Sequence, residues 1–422
     1  MPNEISNAIK VIPSASRLVR SLRDLGYDFP QAVADLVDNS VAAEATRVAI
    51  DLQFDGPDSW LRIVDDGTGM GGDEITEAMR FGTSRAYDDE ALGKFGLGLK
   101  TASLSQCRRL SVASRRAQAR MRIEVRALDL DHVIDTDRWE IFDIPGREAE
   151  ERLIEPLRES TGTVILWESL DRLLDFKIPW GRRAEGALEA LADQLRLHLG
   201  MVFHRFIDAE VGGRSRLQIS VNGERVTPWD PFGRSEPATL VLPPADFDLQ
   251  TEDNFGLVRF QPYVLPARDR FSDESSFHSL AGPRKWNAQQ GLYIYRANRL
   301  IQAGGWSRLR ALDEHVKLAR ASIDFYPELD SAFKVNVAKV RVTLPSDLRD
   351  RLQPVVEPWV RAAQNAYRAS AKSESPSRRQ ARPDVRQALE DAACATGQTR
   401  SLRRIIKRIR KDSPAIAREF GW

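Results

Sequence analysis

Cysteine is almost absent. Cys107 and Cys394 are the two in 422 residues, too few for a disulfide framework or a thiolate zinc site. That scarcity fits a reducing, intracellular setting. Net charge is nearly absent as well, with 62 Lys and Arg against 61 Asp and Glu. Bulk attraction to nucleic acid or membrane is therefore excluded, and any such contact must come from a local patch. No apolar run approaches the length that spans a bilayer, and the first residues (MPNEISNAIKVIPSAS) lack the apolar centre of a secretory signal. The expectation is a soluble, cytoplasmic chain. No internal repeat is visible. What is present is ordinary: 42% hydrophobic and 29% charged residues, enough for a core without staples. The length suggests two or more domains.

The periodicity opens with helices. Arg17 to Leu25 reads as one, with Ser16 as N-cap and Gly26 as its stop, and a second runs from near Asp28 and Pro30 through Ala45. Val48, Ile50, Leu52 and Phe54 then alternate with polar or small residues, and Trp60 to Val64 returns as a second strand after an Asp-Gly-Pro-Asp turn. An antiparallel pair straight after a helix argues against a parallel dinucleotide-binding sheet. Further strands are expected at 108–114, 120–128 and 162–168, then a helix at 182–206 with Leu188, Leu191, Leu195 and Leu199 at helical spacing. From Leu217 the pattern is strand-rich again (LQISVNGERV, TLVLPP, VRFQPYVL, GLYIYRANRLI, KVNVAKVRVTL) and ends in a helix at 346–370.

Three short runs carry chemistry. Asp35, Asp38, Asn39 and Ala42 fall at spacings of three and four on one helix face. A carboxylate beside a carboxamide suits Mg²⁺, which keeps several waters and takes few protein oxygens; a solvated helix face is the alternative. Asp65-Asp66-Gly67-Thr68-Gly69-Met70 follows the second strand directly. There an aspartate accepts from an exocyclic amine such as that of adenine, while Gly67 and Gly69 admit the ring; a plain turn has the same composition. In the third run, Gly93-Lys94-Phe95-Gly96-Leu97-Gly98 leads through Leu99 to Lys100. Its glycines free backbone N–H groups for a phosphate ahead of a helix, but no Gly-Lys-Ser/Thr completes a Walker pattern and no strand leads directly into it.

Taken in order, the runs resemble the GHKL (Bergerat-fold) ATPases: gyrase B, MutL, the large heat-shock chaperone, histidine kinases and the microrchidia (MORC) proteins. The family order is Glu-x-x-x-Asn on a helix, Asp-x-Gly-x-Gly, a lid with a glycine-rich phosphate loop, then a Gly-Thr strand. Here Asp35 to Asn39, Asp65 to Gly69, Gly93 to Gly98 and Gly162-Thr163 follow it. The resemblance implies ATP and Mg²⁺ as ligands, with Asn39 on the metal, Asp35 as general base, and Asp38, Asp65, Met70 and Thr163 around the nucleotide. It makes residues 71–98 the lid, with Thr83 and Ser84 reaching the terminal phosphate, and Lys100 a basic neighbour of the phosphate loop. Two departures stand out. The base is usually Glu, and Asp35 is one methylene shorter; Ala42 replaces a frequent Asp. Nucleotide binding is thus the firmer expectation and turnover should be slow.

The implied fold is α+β: a Bergerat sandwich with a mixed, largely antiparallel sheet at 1–208, an S5-like transducer domain at 209–370, a linker at 371–385 and a basic helical tail at 386–422. GLYIYRANRLI (291–301) resembles the microrchidia-type transducer strand. FKVNVAKVRVTLP (333–345) resembles the segment that lends a lysine to the γ-phosphate, with Lys339 the choice and Lys334 the reserve. None of the five histidines lies upstream of the nucleotide motifs, which disfavours a histidine kinase. Residues 371–422 carry 13 Lys and Arg against 6 Asp and Glu. Within them, SLRRIIKRIRK (401–411) puts Leu402, Ile405, Ile406 and Ile409 on one helix face. Such a helix contacts DNA, docks a partner or packs on its own protein. The implied function is an ATP-gated switch or clamp of the microrchidia-like or MutL type. It would close as a homodimer, with residues 1–15 as a crossing arm, and act with double-stranded DNA and protein partners in DNA repair, restriction or phage defence. A chaperone-like ATPase and an ATP sensor without turnover are the alternatives.

Overall fold

The computed structural model describes residues 13–24, 26–81, 98–117, 122–251, 254–335, 342–377, 392–393 and 395–413. Helix α1 (Ala15–Arg23) starts at Ser14, whose hydroxyl accepts from the Arg17 N–H, and ends at Asp24. The cap thus lies two residues earlier than the sequence suggests, because both serines fit the pattern and only Ser14 has the extended backbone of a cap. Helix α2 (Phe29–Ala42) has Pro30 in its first turn, where the missing N–H costs nothing. Val33, Leu36, Val37 and Val41 are buried along it.

Strands β1 (Arg47–Gln53) and β2 (Trp60–Asp65) form the expected antiparallel pair, with Ile50 opposite Ile63. They join β3 (Arg109–Arg115), β4 (Glu124–Asp129), β5 (Phe142–Asp143), β6 (Gly162–Glu168), β7 (Gln218–Val221) and β8 (Glu224–Arg225) in the order β5-β4-β3-β6-β2-β1-β7-β8. Every neighbouring pair is antiparallel except β1 with β7. Sequence pattern assigns the strand after Leu217 to the second region. Instead it pairs with β1 through Arg47–Gln218 and Ile50–Val221, because its buried Ile219 and Val221 complete the first core. That core lies where α1, α2 and the helix Arg182–Val202 cover the sheet, with Leu188, Leu195 and Leu199 buried from the long helix. A smaller cluster of Val125, Leu153, Leu157, Val164 and Leu166 lies apart from it.

A second sheet is built from β10 (Ala245–Gln250), β11 (Phe255–Val264), β14 (Ala319–Phe325), β12 (Gly291–Arg296) and β13 (Arg299–Gln302), in that order, with β9 (Leu240–Val241) on β11. The helix Ser346–Ser377 packs Leu348, Leu352, Val356, Trp359 and Val360 into its core. This helix runs seven residues into the stretch expected to be a linker, so 371–377 is helical; 378–385 lies outside the described residues. Of the strand expected over 334–344, residues 336–341 lie outside the described residues; the short helix Asp330–Phe333 ends at Lys334 in a left-handed conformation. A separate helix spans Thr399–Asp412 and buries none of its residues; Ile405 is 54% exposed. Among the described residues no helix is long and apolar enough to cross a membrane.

Candidate functional site

Helix α2 supplies the first wall. Asp35 and Asp38 are buried and Asn39 is half-buried, so this is not a solvated face. Ala42, at the helix end, is exposed. The Tyr27 hydroxyl donates to Asp35 Oδ2 at 2.9 Å. Burial and the Asp35 charge push the Tyr27 phenol above its ordinary value, so it stays protonated and donates. From the second sheet, Arg299 on β13 reaches the same helix. Its Nε lies 2.9 Å and 2.8 Å from the two Asp38 oxygens, and Nη2 lies 3.6 Å from Asp35 Oδ1. Two buried carboxylates are tolerable there because a buried guanidinium faces both.

Strand β2 ends at Asp65, the second wall. Asp65 Oδ1 accepts from the Gly67 N–H at 3.0 Å and the Thr163 N–H at 3.2 Å, and Oδ2 accepts from the Ser40 hydroxyl at 3.0 Å. Burial raises its carboxyl to about 6, against the pull of those three bonds. Neighbouring Asp66 goes the other way. Partial burial opposes its charge, but donors from Arg47 and Thr46 hold it below the usual carboxylate range. The glycines are set by close approach. A Cβ on Gly67 would sit 2.7 Å from the Ala43 carbonyl; Gly69 has φ +69°, and its Cβ would sit 2.1 Å from the Arg115 carbonyl. Behind them, Ser114 accepts from the Met70 N–H at 2.8 Å, donates to the Gly162 carbonyl at 2.8 Å and lies 3.0 Å from the Thr163 hydroxyl.

The third wall is the start of α4 (Gly98–Leu104). A Cβ on Gly98 would lie 3.9 Å from Asp35 Oδ2, so the end of the glycine-rich run abuts the carboxylate of α2. Thr83, Ser84, Gly93, Lys94, Phe95, Gly96 and Leu97 lie outside the described residues, as does Lys339. Lys100 is buried, and its ammonium donates to the carbonyls of Ala78 (2.9 Å) and Arg80 at the end of α3 (Gly72–Met79). Burial lowers its amine to about 8, with the Glu77 charge opposing. The lysine expected beside a phosphate therefore closes the end of α3. Lys334, the reserve for the γ-phosphate, is exposed.

Four residues of this site escape the sequence reading. Ser40 and Ser114 look like any helix or strand serine, and Tyr27 like a residue before a cap. Arg299 sits inside GLYIYRANRLI with no local sign that it faces α2. The donors present fit a nucleotide with its cation. Asp65 is a fixed acceptor at the end of its strand, and the half-buried Asn39 offers a hard oxygen of the kind Mg²⁺ takes, with the Asp35 carboxylate one helical turn away.

Comparison with known proteins agrees with that fit. The profile of the histidine kinase-, DNA gyrase B-, and HSP90-like ATPase family matches residues 27–163. The chain is similar to the DNA mismatch repair protein MutL of Actinobacillus succinogenes, 33% identical over 138 residues, which are 32% of this chain and 19% of the relative. It is 43% identical to MutL of Pectobacterium atrosepticum over 91 residues, 20% of this chain and 14% of the relative. The chain thus spans less than a fifth of the length of these relatives. With its helix carboxylates, strand-end aspartate and glycine turns, the region 27–163 is an ATP-binding domain of the GHKL, or Bergerat-fold, ATPase superfamily, related to the MutL-type ATPases.

Proposed function

We propose that this chain is a slow ATPase that works as a conformational switch or clamp, closing as a homodimer on ATP and acting with double-stranded DNA and protein partners. The observation that carries the reading is the role of α2 as a common wall. Ser40 on it holds Asp65 at one end of the site, and Asp35 on it abuts Gly98 at the other. In this reading Asp65 accepts from the adenine amine, with Thr163 and Met70 beside it, and Asn39 holds Mg²⁺. When bound, the cation neutralises phosphate charge. Asp35 accepts the proton of the attacking water, with Tyr27 on one of its oxygens and Arg299 beside the other to orient the carboxylate. The second sheet, with the helix after it, is the S5-like transducer that brings Lys339 to the γ-phosphate. DNA repair, restriction or phage defence is the setting, and relatives named as DNA mismatch repair proteins support the first of the three.

The test is ATP turnover of the pure protein with and without double-stranded DNA, beside Asp35→Asn. We expect DNA to raise turnover and the variant to lose about 100-fold or more while binding ATP within about threefold of wild type. Equal turnover in the variant would remove Asp35 as base, and absent ATP binding by the wild type would sink the whole reading. A second reading, an ATP sensor without turnover, is favoured by the hold of Tyr27 and Arg299 on Asp35. Tight Mg²⁺-dependent binding with no turnover on DNA would select it.

A further inference from the structure

Arg296 and Arg299 face each other across the β12–β13 hairpin, directly paired in register. Both are buried and each holds a carboxylate on a different element. Arg299 engages Asp38 and Asp35 of α2, with its side chain 4% exposed against 0% and 2% for its partners. Arg296 makes a two-pronged pair with Asp330, at 2.7 and 2.8 Å, at the head of the short helix that ends at Lys334. The hairpin between them is stiff. Ala297 and Asn298 have φ of +46° and +69°, the left-handed pair of a tight two-residue turn. Arg205, from the short helix after Arg182–Val202, stacks 3.6 Å over the Tyr295 ring and reaches Asn298 and Asp324.

We propose that the Arg296–Arg299 pair is a positioning relay through which the second sheet sets Asp35. Neither arginine is a catalytic residue; each acts through the carboxylate it holds. A guanidinium spans two carboxylates in a fixed fork, which an ammonium does not. A shift of the helix at Asp330 is therefore passed as a rigid displacement of the hairpin to Asp38 and Asp35, 3.9 Å from where a Cβ of Gly98 would stand. In this relay Asp38 is the anchor that keeps Arg299 within reach of Asp35. The relay deepens the ATPase reading and rests on it for its consequence, not for its existence.

Arg299→Lys and Arg296→Lys in the full chain test it, each keeping a cation so that the fold survives. Two quantities are read: amide hydrogen exchange over Phe29–Ala42 without nucleotide, and kcat, KM and ATP affinity. We expect melting temperatures near wild type, ATP affinity within about threefold and kcat lowered about tenfold or more in both variants. Exchange over α2 should rise about tenfold, also in Arg296→Lys, whose side chain touches neither Asp35 nor Asp38. Wild-type exchange and kcat in Arg296→Lys would overturn the relay. So would wild-type kcat in Arg299→Lys, because a merely structural ion pair is restored by any cation. If the wild type binds ATP without turnover, the exchange result alone decides the relay, while the ATPase reading fails separately.

Discussion

At Asp65, folding and binding ask for different things. Burial lifts its carboxyl from 3.8 to about 6, while Gly67, Ser40 and Thr163 donate to the charged form. The folded value lies above the unfolded one, so between pH 3.8 and about 6 the native chain holds more proton than the unfolded chain. The stability contributed by protonated Asp65 is full below pH 3.8 and is lost as pH rises through about 6. Asp65→Asn keeps the acceptor for Gly67 and Thr163, and the Ser40 hydroxyl turns to accept from the new amide. We expect the variant to be more stable than wild type at pH 7.5, by up to about 3 kcal/mol, the gap closing toward pH 4 in denaturant melts. ATP affinity should fall at least about tenfold, since an acceptor has become a donor. A gap that does not change with pH would refute the account.

One scale up, the elements differ in how openly they advertise themselves. Strands β1 and β2 are plain from apolar spacing because buried and less buried residues alternate along each, as in Trp60–Asp65, whereas α2, buried on nearly every side, shows itself by its length and its start at Asp28 and Pro30. Strand β14, the middle of the second sheet, is not legible in this way: six of its seven residues are buried, so no alternation marks it. Lys100 was legible as a charge next to a glycine run but not as the end of α3. Its two bonds to Ala78 and Arg80 carbonyls fix the base of the expected lid. Lys100→Met should cost about 2–3 kcal/mol by leaving those carbonyls without a donor, and should speed proteolysis between α3 and α4 in the nucleotide-free chain. Unchanged stability and cleavage would return Lys100 to the phosphate.

At the scale of the whole molecule, charge is sorted along the chain. Residues 371–422 carry 13 basic against 6 acidic residues, and the helix Thr399–Asp412 buries none of its own. If this helix is the contact of the clamp to DNA, affinity falls steeply with salt, by a slope of about −0.9 per phosphate neutralised. Deleting residues 386–422 should reduce that slope by several units in a binding titration between 50 and 200 mM salt. An unchanged slope would move DNA contact elsewhere. In light scattering with a non-hydrolysable ATP analogue, the full chain should double in mass; a monomer would exclude the clamp.

The sequence by itself determined the nucleotide motifs and the elements that bear them. Asp35, Asn39, Asp65, Gly67, Gly69 and Gly98 are local patterns, read from spacing along one helix or one turn. Tertiary structure decided what those residues face. Ser40 meets Asp65 across 25 residues, Thr163 meets it across 98, and Arg299 meets Asp38 across 261. Such contacts leave no trace in local periodicity, because a buried ion pair is chosen by the packing of two sheets and not by the neighbours of either residue. The parallel pairing of β7 with β1 is of the same kind. Its short apolar run fits either sheet, and only the unfilled edge beside β1 made the choice.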